Sequence, residues 1–136
     1  MSQGEPQPAN LPAPATADTA TTEARPPQID LERFRELDLR VAEIVAAEPI
    51  PGATRLLRLE VDLGTERRQL VAGIAEFFQP VQLLGRKIIV VANLKPARLR
   101  GVESQGMLLA AGGQAPGEPL GLLTVDPPVP NGTRVS

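Results

Sequence analysis

The sequence predicts one all-β domain with a short helical insertion, preceded by a segment of different composition. Three observations predict this class. Aliphatic residues alternate with charged ones over short stretches, which is typical of half-buried strands. Turn residues, chiefly Gly and Pro, separate these stretches. The chain has 136 residues, a length that suits a single domain.

The segment 1–28 differs in composition from the rest of the chain. It holds six of the fifteen prolines, six alanines and four threonines, and Leu11 is its one sizeable aliphatic side chain. Such a segment buries too little apolar surface to offset the entropy of ordering it. We therefore expect residues 1–28 to be a disordered tail or linker and residues 29–136 to form the domain. The opening ten residues lack the basic and apolar regions of a signal peptide.

The domain is predicted to begin with a short helix and a strand. Asp30 is suited to cap a helix over LERFREL (31–37), whose apolar residues share one stripe. From Leu39 the pattern changes to a β-rich run, LRVAEIVAAE, which ends at the Pro- and Gly-containing turn 49–52. The clearest strand follows over 57–63, where Leu and Val alternate with charged residues.

The middle of the domain predicts a hairpin, a helical plug and a buried strand. A Gly-Thr turn makes residues 68–72 the hairpin partner of the preceding strand. Residues 73–84 predict one or two short helical turns interrupted by Pro80. The continuous aliphatic residues of 87–92 predict a strand buried on both faces.

The last third predicts a long loop over 93–104, a strand over 106–111, a flexible loop over 112–119, and a short strand over 120–125. The ending PPVPNGTRV predicts a terminal strand or arm. Three strands, a short helical plug and two more strands follow the order of a five-stranded OB-fold barrel, with a short N-terminal helix and an appended C-terminal strand segment. A generic β-sandwich is the alternative, and it does not explain the plug between the third and fourth strands.

The composition excludes several kinds of chemistry. The chain has no His and no Cys, so it has no thiol nucleophile, disulfide, Ser-His-Asp triad or zinc site built on sulfur or imidazole. No acid pair, nucleophile–base pair or phosphate-cradling glycine loop is evident. We therefore expect no enzyme activity, no cofactor and no metal. No apolar run approaches the roughly 18 residues of a membrane span, and we expect a cytoplasmic protein.

Positive charge is concentrated in one part of a nearly neutral domain. The chain carries a net charge of −2, and residues 29–136 hold 13 acidic and 13 basic residues. Between Glu76 and Glu103 there is no acidic residue, yet this stretch contains five basic ones: Arg86, Lys87, Lys95, Arg98 and Arg100. The charge pattern thus points to the loop after the fourth strand.

That loop, within NLKPARLRGVESQGMLLA (93–110), combines three cations with amide and hydroxyl groups, two Gly and a stiffening Pro. Such a loop can hold phosphate and sugar oxygens. Each residue also has a structural interpretation. Asn93 suits a strand cap, the cations suit a solvated face, Ser104 and Gln105 suit loop backbone contacts, and Met107 suits a core position. The residue chemistry alone is a weak indication of anion or RNA binding.

The whole segment resembles the signature of the tRNA-binding OB domain, which occurs in bacterial methionine–tRNA ligases and as free-standing tRNA-binding proteins. The upstream segments FRELDLRVAEIVAAEPIPGATRLLRLEVDLG and LVAGIAEFFQPVQLLGRKIIVVANLKP are similar to the same family. The resemblance implies recognition of tRNA structure with little dependence on sequence, and a homodimer joined through the C-terminal parts. It also implies the RNA-facing residues: Asn93, Lys95, Arg98, Arg100, Ser104, Gln105 and Met107, extended by Arg55 and Arg58.

Two further interpretations accompany this resemblance. The chain is expected to act in trans on an aminoacyl-tRNA synthetase, which is then a second partner besides tRNA. The main alternative is a dimeric peptide-binding chaperone with the same barrel, because some relatives of that fold resemble secretion chaperones. Glu43 and Glu60 stand where the family often has Lys, so this chain has fewer basic residues near the expected groove.

Overall fold

The computed structural model describes residues 25–136, so the predicted tail lies largely outside the described residues. Residues 25–28 carry neither helix nor strand. Residues 31–136 form one compact unit, whose elements in chain order are α1 (Leu31–Arg35), β1 (Leu39–Ile50), β2 (Ala53–Asp62), β3 (Arg67–Ala72), α2 (Pro80–Leu83), β4 (Lys87–Val91), β5 (Ala97–Leu99), β6 (Val102–Ser104), β7 (Met107–Leu108), β8 (Ala110–Gly112), β9 (Leu120–Leu122) and β10 (Arg134–Val135).

The main sheet is antiparallel, with β1 at its centre. Its strand order is β3-β2-β1-β4-β7, and β10 also pairs with β1. The segments β1, β2 and β3 form the predicted meander, and β4 returns to the free edge of β1. Helix α2 lies between β3 and β4 in the chain. The all-β class and the position of the helical plug are therefore confirmed.

Hydrogen bonds connect the two ends of this sheet order. The amide of Gln105, just before β7, donates to the carbonyl of Gln69 on β3 over 2.8 Å. The amide of Val71 donates to the Oγ of Ser104 over 3.0 Å. The segment that leads into β7 is thus held against β3 although it pairs with β4 on its other side. These bonds curl the sheet towards the barrel that the element order predicts.

The interior is aliphatic, as the alternating pattern requires. Leu57, Leu59 and Val61 of β2 are at most 2% exposed and point into the core, whereas the charged residues between them face outwards. Leu83 of α2 is fully buried, so this single turn of helix fills one end of the core. Pro80 begins α2 instead of interrupting it, because a Pro at the first helical turn loses no hydrogen bond.

Two elements differ from their sequence prediction. The predicted long loop 93–104 contains a two-stranded hairpin, β5–β6, whose turn is Arg100-Gly101. Both turn residues have positive φ, 52° and 80°, as in the tight turns that match the twist of a hairpin. An Asn-Gly or Asp-Gly turn would have been readable from sequence, whereas Arg-Gly is not. The predicted strand 106–111 is divided into β7 and β8, which belong to different sheets.

The C-terminal arm adds to the sheet as predicted and is fixed by its backbone. The amide of Val41 on β1 donates to the carbonyl of Thr133, and the amide of Gly132 donates to the carbonyl of Val41. The Nζ of Lys87 donates to the carbonyl of Val129 over 2.6 Å. The arm therefore continues the sheet beside α1 and β1.

Candidate functional site

The β5–β6 hairpin presents two of the predicted cations, and a third precedes it. Lys95, Arg98 and Arg100 are all exposed. The Nη1 of Arg98 donates to the carbonyl of Gly101 over 2.9 Å, which holds its guanidinium beside the turn. Arg100 occupies the turn itself. The three cations are thus placed on one short exposed segment.

These three cations are free of ion pairs among residues 25–136. The ion pairs of this part of the chain engage five other arginines: Arg40, Arg55, Arg58, Arg67 and Arg68. Glu103 lies opposite Arg98 in the hairpin register, yet the two side chains form no ion pair. The loop therefore offers charge that no described carboxylate neutralises, and exposed charge of this kind is available to an anionic partner.

Arg55 and Arg58, predicted to extend the site, differ from the loop cations. Arg55 pairs with Glu76 over 3.4 Å. Arg58 is about one quarter exposed and binds Glu48 together with the amide oxygen of Gln69, the latter over 3.1 Å. A phosphate would have to compete with these partners, so both residues offer less free charge than the hairpin does.

The structure gives Asn93 a role in holding the loop. Its Oδ1 accepts from the amide of Asp38 over 2.9 Å, and its Nδ2 donates to the carbonyl of Glu36 over 2.7 Å. Both ends of the side-chain amide therefore bind the junction between α1 and β1. Asn93 fixes the point where the chain leaves β4.

The side chains of Ser104 and Gln105 make hydrogen bonds to backbone groups within the fold. Ser104 is only 5% exposed, and its hydroxyl accepts from Val71 and donates to the carbonyl of Gly106 over 3.0 Å. The Oε1 of Gln105 accepts from the amide of Gln69 over 3.1 Å. Because these polar atoms are engaged within the fold, both residues lie at the base of the hairpin and not on its outer face.

Met107 lies at the start of β7 and is 49% exposed, so it is not a core residue. Leu94 and Leu99 of the same loop are each 41% exposed. The cations are accordingly interspersed with apolar side chains, which suit contact with ribose or base faces better than contact with water.

A cleft between the beginning of β3 and the loop was not predicted from the sequence. Arg67, Arg68 and Lys95 contribute its positive charge, Glu66 its carboxylate, and Asn93 and Gln105 further lining. Arg67 is about 60% exposed and has a long, 3.5 Å contact with Glu60. The available signal was the Arg-Arg pair directly after the turn at 64–65. The pair points to a cleft only when β3 is known to lie beside the loop that follows about 25 residues later in the chain.

In the loop between β8 and β9, hydrogen bonds from the amides of Ala115 and Gln114 lower the pKa of Glu118. Residues 25–136 contain no group of three or more carboxylates arranged to hold a metal ion. Within the same range, no helix is both long and apolar enough to cross a membrane.

The chain matches a family model described as "Putative tRNA binding domain" over residues 39–134. It is 53% identical over 116 residues to the methionine–tRNA ligase of Thermotoga maritima, which covers 85% of this chain and 18% of that protein. It is 46% identical over 127 residues to the ligase of Bacillus subtilis, covering 90% of this chain and 19% of that protein. The chain therefore spans less than a fifth of the length of these relatives.

Two solved structures share the fold. One is a protein of Pyrococcus horikoshii related to methionyl-tRNA synthetase, with a TM-score of 0.74 and 39% identity, covering 81% of this chain and 99% of that chain. The other is the chaperone CsaA of Bacillus anthracis, with a TM-score of 0.72 and 32% identity, covering 81% of this chain and all of that chain.

Proposed function

The chain belongs to the tRNA-binding domain family, and from this membership we propose that it binds folded tRNA by backbone and shape, without chemistry of its own. The observation that carries the proposal is the set of three exposed, unpaired cations on the β5–β6 loop. Arg67 at the edge of the cleft is added to this surface. In this proposal Met107, Leu94 and Leu99 make apolar contacts with the ribose or base faces that lie between the phosphates.

Recognition of a folded RNA is favoured over a bare single strand because few aromatic side chains are present. The chain has three Phe and no Tyr or Trp, and two of the three, Phe34 and Phe77, are 37% and 36% exposed. Sequence-tolerant binding of single strands depends on stacking of bases on aromatic rings. A surface of cations and aliphatic residues instead suits the phosphates and ribose edges of a structured RNA.

The nine residues predicted to face the RNA are given two kinds of role in this proposal. Lys95, Arg98, Arg100 and Met107 contact the RNA. The remaining five hold the loop or flank it: Asn93, Ser104, Gln105, Arg55 and Arg58. This division rests on their hydrogen bonds and ion pairs within the fold.

A homodimer forms part of the proposal. Leu31, Phe34 and Leu37 of the α1 region are 59%, 37% and 39% exposed, and α1 has no buried residue. The guanidinium of Arg134 donates to the carbonyls of Arg35 and Leu37, so the C-terminal arm and α1 form one continuous surface. A second copy of the chain is the proposed partner for this surface, since pairing would remove the exposed parts of these apolar side chains from water on both copies, which favours association.

An aminoacyl-tRNA synthetase is the proposed second partner, with the chain acting on it in trans. Support comes from the relatives, which are methionine–tRNA ligases more than five times as long as the matched region. A tRNA-binding module that lacks the catalytic part can supply RNA affinity to a separate ligase. This role also goes with the predicted cytoplasmic location, where tRNA is charged.

A filter-binding assay tests the function. Folded tRNA and an unstructured RNA of equal length are compared at two salt concentrations. Three to four phosphate contacts per protomer give a log–log salt slope of roughly −2 to −4. The double variant R98A/R100A is expected to weaken binding and make the slope less negative by about 2.

The matched control removes two exposed arginines that are members of neither the loop nor the cleft lining. R25A/R86A changes the net charge by the same amount and should leave the slope unaltered. Equal binding of the two RNAs contradicts recognition of structure, and equal effects of the two double variants contradict the placement of the site. Binding of an unfolded peptide that persists at high salt would favour the chaperone alternative, which the likeness to CsaA motivates.

A further inference from the structure

One arginine of β3 connects the two ends of the cation-bearing loop. The loop leaves the sheet after Ala92, at the end of β4, and returns to it at Gln105. The Nη1 of Arg68 donates to the carbonyl oxygen of Ala92 and, over 3.3 Å, to that of Gln105. Its Nη2 binds Glu66 over 3.2 Å. A single guanidinium therefore spans both points where the loop joins the sheet.

The geometry uses a property that only arginine has. Each Nη atom carries two hydrogens in the plane of the guanidinium, so Nη1 can serve two carbonyls while Nη2 serves a third acceptor. The side chain is 25% exposed, and Ala92 is 6% exposed. Lysine has the same charge, but its ammonium is a compact donor without a fixed fork. The charge of Arg68 and its bridging of the loop can therefore be separated by substitution.

Between 94 and 102 the loop depends on its ends for its orientation. Within the described residues, the hydrogen bonds of this stretch are those of the β5–β6 ladder and the contact between Arg98 and Gly101. Val102 packs against a small cluster that includes Val71. The direction in which the hairpin points is consequently set at its base, where β3 holds residues 103–105 through Gln69 and Val71 and where Arg68, alone among the described residues of β3, also reaches the other end of the loop at Ala92.

We propose that Arg68 is a positioning residue of the RNA site, which holds the two ends of the loop together so that Lys95, Arg98 and Arg100 meet the phosphates at a constant spacing. The proposal rests on the proposed function and adds to it. Arg68 acts through the loop and not as one more phosphate contact, since three of its five N–H donors already serve two carbonyls and a carboxylate.

The test compares R68K and R68M with the wild-type chain, using tRNA titrations at several salt concentrations and hydrogen exchange of the amides in 97–104. R86M is the control, because it removes one exposed arginine outside the loop. A hydrogen bond to a charged group changes an equilibrium constant by about tenfold or more. We therefore expect both Arg68 variants to bind tRNA about tenfold more weakly and to exchange faster in the hairpin, with a salt slope reduced by more than one.

Three results would overturn the proposal. R68K could bind as tightly as wild type, which would show that the charge alone matters. The hairpin amides could exchange at the wild-type rate in R68K, which would show that Arg68 does not order the loop. R68M could behave like R86M in affinity and slope. The variant R98A/R100A is measured alongside: if it weakens binding and R68K does not, only the positioning role fails, whereas if neither weakens binding, the proposed function fails.

Discussion

Arg100 combines an unfavourable backbone conformation with a free charge. Its φ is +52°, and it is the one non-glycine residue with positive φ in the part of the chain that the structure describes. The left-handed region costs an L-residue roughly 1–2 kcal/mol, and Gly or Asn is the usual occupant of such a turn. A cation retained at the tip of a tight hairpin, where it is strained, is consistent with a role in binding.

Replacing Arg100 by Gly separates stability from binding. R100G is expected to raise the free energy of unfolding by about 0.5–1 kcal/mol, because relief of the backbone strain exceeds the extra entropy that Gly has in the unfolded chain. The same change should weaken tRNA binding and reduce the salt slope by roughly one phosphate contact. Denaturant unfolding and tRNA titration measure the two effects.

R100K is the control for this pair of effects, because it keeps the charge and the strain. Its stability and its salt slope should match those of the wild-type chain. A loss of stability in R100G would show that the Arg100 side chain contributes more to the fold than its backbone conformation costs.

Single residues show where sequence reasoning succeeds and where it stops. The alternation over 57–63 identifies buried side chains directly, because a strand has a period of two. Ser104 is different, since a serine on a polar loop is equally compatible with an outer face and with the interior. Its assignment depends on the amide of Val71, which lies 33 residues earlier and is brought close only by the fold. The role of Arg68 likewise could not be predicted, because it depends on the carbonyls of Ala92 and Gln105, which only the fold brings close.

At the scale of elements, the first three strands, the plug and the strand at 120–122 follow from local patterns, whereas the β5–β6 hairpin and the division of 106–111 into two strands do not. Segments β5 to β9 contain two or three residues each, too few to show a period. Their pairing depends on turns with positive φ, including Gly112 and Gly113. Sequence therefore predicts elements that bury a whole face and misses those defined by a turn.

The C-terminal arm depends on a close backbone contact that can be tested. Gly132 has a φ of +88°, and a Cβ at this position would collide with the carbonyl oxygen of Leu63 on the β2–β3 side. The carbonyl oxygen belongs to the backbone and the added Cβ is fixed to its Cα, so neither atom can rotate away from the other. G132A is expected to lower the free energy of unfolding by roughly 2–4 kcal/mol, about 1 from the backbone conformation and 1–3 from the forced shift.

The matched control for the arm is G52A. Gly52 has a φ of +80° and open space around a Cβ, so the substitution incurs the conformational cost alone, about 1 kcal/mol. Denaturant unfolding of the two variants compares them directly. Equal losses would mean that the arm yields to the added methyl group and contributes little to the fold.

At the scale of the whole molecule, one loop with three or four phosphate contacts is a small binding surface. A dimer presents two such loops, and the second contact then acts at a high effective concentration when the geometry allows both to engage one tRNA. Avidity of this kind exceeds the affinity of one site by roughly 10²–10⁴ without any new contact. In the proposed dimer, the apolar α1 surface and the cationic loop therefore act together in tRNA binding.

This coupling predicts that a substitution remote from the RNA weakens tRNA binding. L31Q/F34Q replaces two exposed apolar residues of α1 and leaves the core intact, so the protomer should fold normally while the mass in solution halves. The affinity for tRNA should then fall by about 10²-fold or more, with the salt slope per protomer unchanged because no cation is lost. V81Q/L84Q is the control, since Val81 of α2 and Leu84 at its C-terminal end are 75% and 51% exposed and neither belongs to α1 or the arm. A variant that becomes monomeric yet binds tRNA as tightly as wild type would show that one protomer carries the whole site.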